Sequence, residues 1–99
     1  MKVGLYAVYD VASGVYDGPV GSMNDATAIR QFKEVATNDN NPIGKNPSDF
    51  TLMKVGIWND ADGQIESMPP VKVMTALEAI ASTGDLISHE FRKEEAGNA

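Results

Sequence analysis

The chain contains no cysteine. A disulfide framework, a thiolate nucleophile and a cysteine zinc site are therefore all excluded. The single histidine, His89, sits beside Glu90 in a charged stretch. It has no second imidazole with which to form a metal pair, and it reads as a solvated side chain. Cations are scarce: 8 Lys and Arg stand against 14 Asp and Glu, for a net charge of −6. That balance argues against a basic groove tracking duplex phosphates and leaves room only for a local patch. No apolar run approaches the roughly 20 residues needed to span a bilayer. No glycine-rich phosphate loop or dinucleotide fingerprint is present. Asp60 and Asp62 resemble a fragment of a calcium loop, but the position of its bidentate glutamate falls on Pro69, so a hairpin turn is the better reading. With no catalytic constellation, the sequence reads as a non-enzyme without metal or cofactor.

What is there suffices for one small domain. The chain has 99 residues, of which 42% are apolar, well above the disordered class. The opening MKVGLYAVYD reads as a strand and not as a secretory apolar segment. Val3, Leu5, Ala7 and Tyr9 alternate with Gly4, Tyr6 and Val8, which predicts a strand over 2–9. A turn-rich stretch from Asp10 to Gly14 predicts a hairpin to a second strand over 15–20. Pro19, which has no N–H for a ladder, marks that strand as an edge or ends it. Asn24 and Asp25 open a helix over 24–37, whose apolar stripe is Ala28, Ile29, Phe32, Val35 and Ala36. Residues 38–49, rich in Asn and Pro, read as a structureless loop. Strands over 50–58 and 64–68 flank the Asp62-Gly63 turn, with Pro69-Pro70 stopping the second. From Pro70 to Gly84 the pattern turns helical through Val73, Ala76, Leu77, Ile80 and Ala81. The predicted fold is α+β in ββαββα order: a four-stranded antiparallel sheet in two hairpins, with a central helix between them and a C-terminal helix. Residues 1–84 form the domain, and 85–99 form a charged tail, partly disordered or short-helical.

The ordered set Leu5-Tyr6-Ala7-Val8-Tyr9-Asp10, Gly18-Pro19, Asn24-Asp25, Ala28, Arg30, Phe32, Asp49-Phe50-Thr51-Leu52, Gly56 and Asp62-Gly63 resembles the small nonstructural protein of gokushovirus-type microviruses. These are tailless phages with circular single-stranded DNA genomes. The resemblance covers roughly residues 1–68. It implies an accessory role in viral DNA synthesis or packaging in the cytoplasm of the bacterial host, with single-stranded DNA as the ligand. It carries over no catalytic residue.

The residues themselves offer one way to bind such a ligand. Phe50, Leu52, Lys54, Gly56 and Trp58 fall on one face of a regular strand, and Met53, Val55 and Ile57 on the other. Both faces are apolar enough to bury. Tyr6 and Trp58 would stack bases, at about 1–3 kcal/mol each, while Lys54 met phosphate. Arg30 and Lys33 on the helix and Lys45 in the loop would complete an electropositive patch. The competing reading makes Phe50, Leu52 and Trp58 core residues and the lysines solvated. The chain is then an acidic interaction module, homodimeric or directed to other phage or host replication proteins, with no DNA contact. Self-association is expected in either case, because one of the two apolar sheet faces needs cover.

Overall fold

The structure, a computed structural model, describes residues 1–83. Four strands, β1 (Lys2–Asp10), β2 (Val15–Ser22), β3 (Phe50–Asn59) and β4 (Ile65–Thr75), form one antiparallel sheet in the order β2-β1-β3-β4. Helix α1 (Asp25–Ala36) connects the two hairpins, and helix α3 (76–83) follows β4. This is the α+β architecture the sequence predicts. The expected helix end at Gly84 and the tail 85–99 lie outside the described residues.

Local chemistry accounts for the hairpins and for α1. Gly14 and Gly63 supply the positive φ that each turn needs, at +71° and +73°. The carboxylate of Asp10 accepts from the Ala12 amide and the Ser13 hydroxyl, both at 3.0 Å, tightening the first turn. Asn24 caps α1 by accepting from the Thr27 amide at 2.8 Å. The Thr37 hydroxyl donates to the Lys33 carbonyl at 2.7 Å where the helix stops.

Three expectations need correcting. The fourth strand does not stop at Pro69-Pro70: β4 continues to Thr75, and α3 starts only at 76. β4 is an edge strand, and its register against β3 shifts between Lys54 and Gly56, opposite the segment from Ser67 to Val71. The two prolines lie within that irregular segment, where no ladder N–H is demanded of them. The start of α3 is fixed instead by Thr75, whose hydroxyl oxygen accepts from the Glu78 amide at 3.0 Å. Residues 38–49 are not structureless, since they hold a short helix α2 (Pro42–Lys45) and a 3-10 turn (Pro47–Asp49). Asn41 stitches this segment down: its side chain accepts from the Gly44 amide at 3.0 Å and donates to the carbonyls of Val35 and Asn38 at 2.9 and 2.7 Å. Finally, Val35 is 40% exposed and is not part of the buried core that Phe32 joins.

The core lies between the helices and one face of the sheet. Tyr6, Ala28, Phe32, Ala36, Leu52, Ala76 and Ala79 form the buried cluster, and Ile29, Ile43, Val8 and Phe50 pack against it. Thus α1, α2 and α3 all cover the same side. The alanines of α1 and α3 let these helices approach the sheet and one another closely.

Gly44 is a sharp test of how α2 is seated. A Cβ there would stand 1.9 Å from the backbone carbonyl oxygen of Asn38, a distance no side-chain rearrangement can relieve. Gly44→Ala is expected to destabilise the protein by about 1–3 kcal/mol, the usual cost of overpacking. Thermal unfolding measures the loss, and faster amide exchange at 41–46 localises it. A wild-type melting temperature would refute this account of α2.

Candidate nucleic-acid interface

Register decides which side chains share a face. Leu5 pairs with Gly56 and Tyr6 with Lys54, so Val55 is an extra residue on β3 and forms a bulge. A bulge reverses the alternation beyond it. Tyr6, Lys54, Leu52 and Phe50 therefore stand on the helix side with Gly4 and its partner Ile57, while Trp58, paired with Val3, stands on the opposite side. The regular-strand reading that placed Lys54 and Trp58 together is corrected by this single inserted residue.

The other predicted site residues separate accordingly. Tyr6 is 1% exposed, enclosed in the core, and cannot offer a ring face to a base. Its hydroxyl donates to the Asp25 carboxylate. Burial pushes its pKa up to about 12, and the Asp25 bond and charge add to the shift. Lys54 lies with its Nζ 6.0 Å from the centroid of the Tyr6 ring. Arg30 and Lys33 are on α1 and Lys45 on α2, all in the helix layer. Of the six, only Trp58 lies on the uncovered face, and it is 40% exposed.

That uncovered face has a distinct composition. Val3, Leu5, Ala7 and Tyr9 come from β1, Tyr16 from β2, Met53 and Trp58 from β3, and Ile65 and Lys72 from β4, as the pairings Tyr9–Tyr16, Trp58–Ile65 and Met53–Lys72 require. The Tyr9 and Tyr16 rings meet at 4.7 Å between centroids, inclined by 47°. Tyr16 is 42% and Ile65 66% exposed. The strand carboxylates Asp10, Asp17 and Glu66 pair with Phe50, Val8 and Ile57, all on the helix side. Thus none of the four strands presents a carboxylate to the uncovered face, although the chain as a whole is strongly acidic. Its lysine, Lys72, has its Nζ 2.7 Å from Glu78 Oε1, and the ammonium holds the Glu78 carboxyl below its ordinary pKa. Both partners are about half exposed. Such a pair contributes little to stability, and a phosphate can replace its carboxylate at small cost.

The sequence reading missed Tyr9 and Tyr16 as site residues. The signal was available: both lie one position outside the Asp10–Val15 pair that closes the hairpin.

The chain matches the Phage ORF5 protein family over residues 3–79 and belongs to that family. It is also similar to the proteins named DNA damage-binding protein 1 of Solanum lycopersicum and of Solanum cheesmaniae, each 31% identical over 55 residues. That stretch is 56% of this chain and 5% of either relative, so the chain spans about one-twentieth of their length. No solved structure matches.

Proposed function

We propose that this phage protein is a nonstructural accessory protein of a gokushovirus-type microvirus, acting in the host cytoplasm in single-stranded DNA synthesis or packaging. We further propose that it holds the strand against the uncovered sheet face. The observation that supports this reading is the aromatic face carrying Trp58, Tyr9 and Tyr16, to which no strand contributes a carboxylate, on a chain of net charge −6. Rings stack on any base, so this mode needs no sequence readout and few cations. Lys72 at the margin supplies the phosphate contact.

Oligo-dT is expected to quench the fluorescence of Trp58, the only tryptophan. Trp58→Ala is expected to weaken binding by about 5- to 100-fold, the equivalent of losing one stacked base. Lys54→Ala, on the other side of the sheet, leaves binding unchanged. With one phosphate contact, log K falls with log salt at a slope of only about −0.7. The absence of binding at low salt would sink the DNA reading.

One observation favours a second reading. Val3, Leu5, Met53 and Ile65 make much of the same face purely apolar, and two copies meeting there would bring no strand carboxylates together. The face then serves self-association in an acidic interaction module. Sedimentation decides between the two: a dimer whose Trp58 emission shifts to the blue with concentration, and which ignores oligo-dT, supports the module.

A further inference from the structure

The helix side of the sheet is not fully covered. Strand β2 is an edge, and its side chains Val15 and Val20 are 60% and 63% exposed although they point toward the helix layer. Between β2 and α1 runs a trough made of two hollows of about 220 and 430 Å³. The smaller is walled by Val20 and Ser22 of β2 and by Phe32 of α1. The larger is walled by Val15 and Asp17 of β2 and by Phe50. Val8, Val35 and Ile43 line both, so the two adjoin.

We infer that this trough takes an extended peptide segment of a partner protein, added as a fifth strand to the outer edge of β2. Strand addition draws affinity from main-chain hydrogen bonds and specificity from pockets that receive alternate side chains. Both parts are present here. β2 pairs with β1 along one edge only. Pro19, which has no N–H to offer, and the register break between Asp17 and Val20 divide it into two stretches, 15–17 and 20–22, and each stretch borders one hollow and keeps main-chain groups for a partner strand. The opposite edge, β4, carries two prolines, Pro69 and Pro70, and two register breaks, against one of each in β2. Apolar side chains of the incoming strand enter the hollows.

Charge sets the remaining position. Asp10 and Asp17 both line the larger hollow. Asp10 is occupied by its turn, whereas Asp17 makes no ion pair among the described residues. The fitting segment therefore alternates apolar residues and carries a lysine or arginine in the same alternation, beside Asp17. The hollows open on the side of the sheet opposite Trp58, and Tyr16 alone of the DNA-face aromatics borders one of them, so Trp58 reports the DNA face separately.

The test uses the full ¹⁵N-labelled chain and the end-capped heptapeptide Thr-Val-Thr-Leu-Thr-Lys-Thr, whose Val, Leu and Lys share one face. Titration is expected to shift the backbone amides of 15–22, Pro19 excepted, and the side-chain amide of Gln31, which lines the smaller hollow, leaving the Trp58 indole resonance in place. Replacing the peptide lysine by glutamate weakens binding about tenfold, and Asp17→Lys reverses that preference. Asp17 is exposed, so the variant keeps its fold. Val35→Asp, at the wall the hollows share, abolishes binding of both peptides. No shift at millimolar peptide, shifts confined to the Trp58 face, or equal affinity for the lysine and glutamate peptides would each overturn the inference.

Discussion

Replacing Phe32 by alanine is expected to cost about 3–5 kcal/mol of folding stability, the range for a buried aromatic truncated to its Cβ. Phe32 is 4% exposed and lies within the cluster of Tyr6, Leu52 and the alanines of α1 and α3. Those neighbours are small or anchored on strands, so little can relax into the space the ring vacates. A domain of this size has only about 5–15 kcal/mol of stability in total, and the substitution removes a large share of it. Urea unfolding should show a much lower midpoint with an unchanged slope. Val35→Ala, on the same helix, is the control. Val35 is 40% exposed and lines the trough, so its truncation should cost below about 1 kcal/mol, as for a surface change. Equal losses at the two positions would mean that α1 presents a different face to the sheet.

The contrast between Phe32 and Val35 marks how far the sequence could be read. Helical periodicity placed both on one apolar stripe, and that stripe is real. The pattern could not show that Val35 borders hollows beside β2 and not the buried cluster. The first hairpin and the start of α1 were legible because Asp10, Gly14 and Asn24 act on backbone groups within a few residues of themselves. Pro69-Pro70 misled for the converse reason. A proline's effect depends on whether its strand is central or an edge, and that is a property of the sheet. The start of α3 was nevertheless encoded in Thr75-x-x-Glu78, a capping signal weaker to the eye than two prolines.

The site was legible in kind and not in composition. An aromatic sheet face was expected and is present, but Tyr6 and Lys54 are on the wrong side for it. Period-two reading assumes an unbroken strand, and one bulge at Val55 exchanged the faces of everything beyond it. Bulges are set by how three neighbouring strands twist together, so no local sequence signal announces this one. The misplacement has a physical remedy, because Tyr6 now makes a prediction of its own.

Tyr6→Ala is expected to cost about 3–5 kcal/mol, as for other buried aromatics, whereas Tyr6→Phe should cost less, about 1.5–3 kcal/mol, the net value of a hydrogen bond to a charged group. The difference arises because the ring fills the core, while the hydroxyl serves only its bond to Asp25. Burial of the phenol, with the bond to Asp25 adding to it, also makes stability depend on pH. The phenol's pKa rises from 10.0 in a free side chain to about 12 in the fold. A raised folded pKa means that the protonated form is the one the fold favours. The resulting stability, up to about 2–3 kcal/mol, is complete below pH 10 and drains away as the pH climbs from about 10 to 12. The informative quantity is the difference between wild type and Tyr6→Phe, in which the contributions of all other groups cancel. The wild type should lose stability more steeply across that range, and the two curves should converge near its upper end. Oligo-dT binding by Tyr6→Phe at neutral pH should match the wild type, since no base reaches this ring. Parallel stability curves would show that the Tyr6 hydroxyl is not held buried against Asp25. A large loss of DNA binding by a folded Tyr6→Phe variant would return Tyr6 to the platform from which its burial removes it.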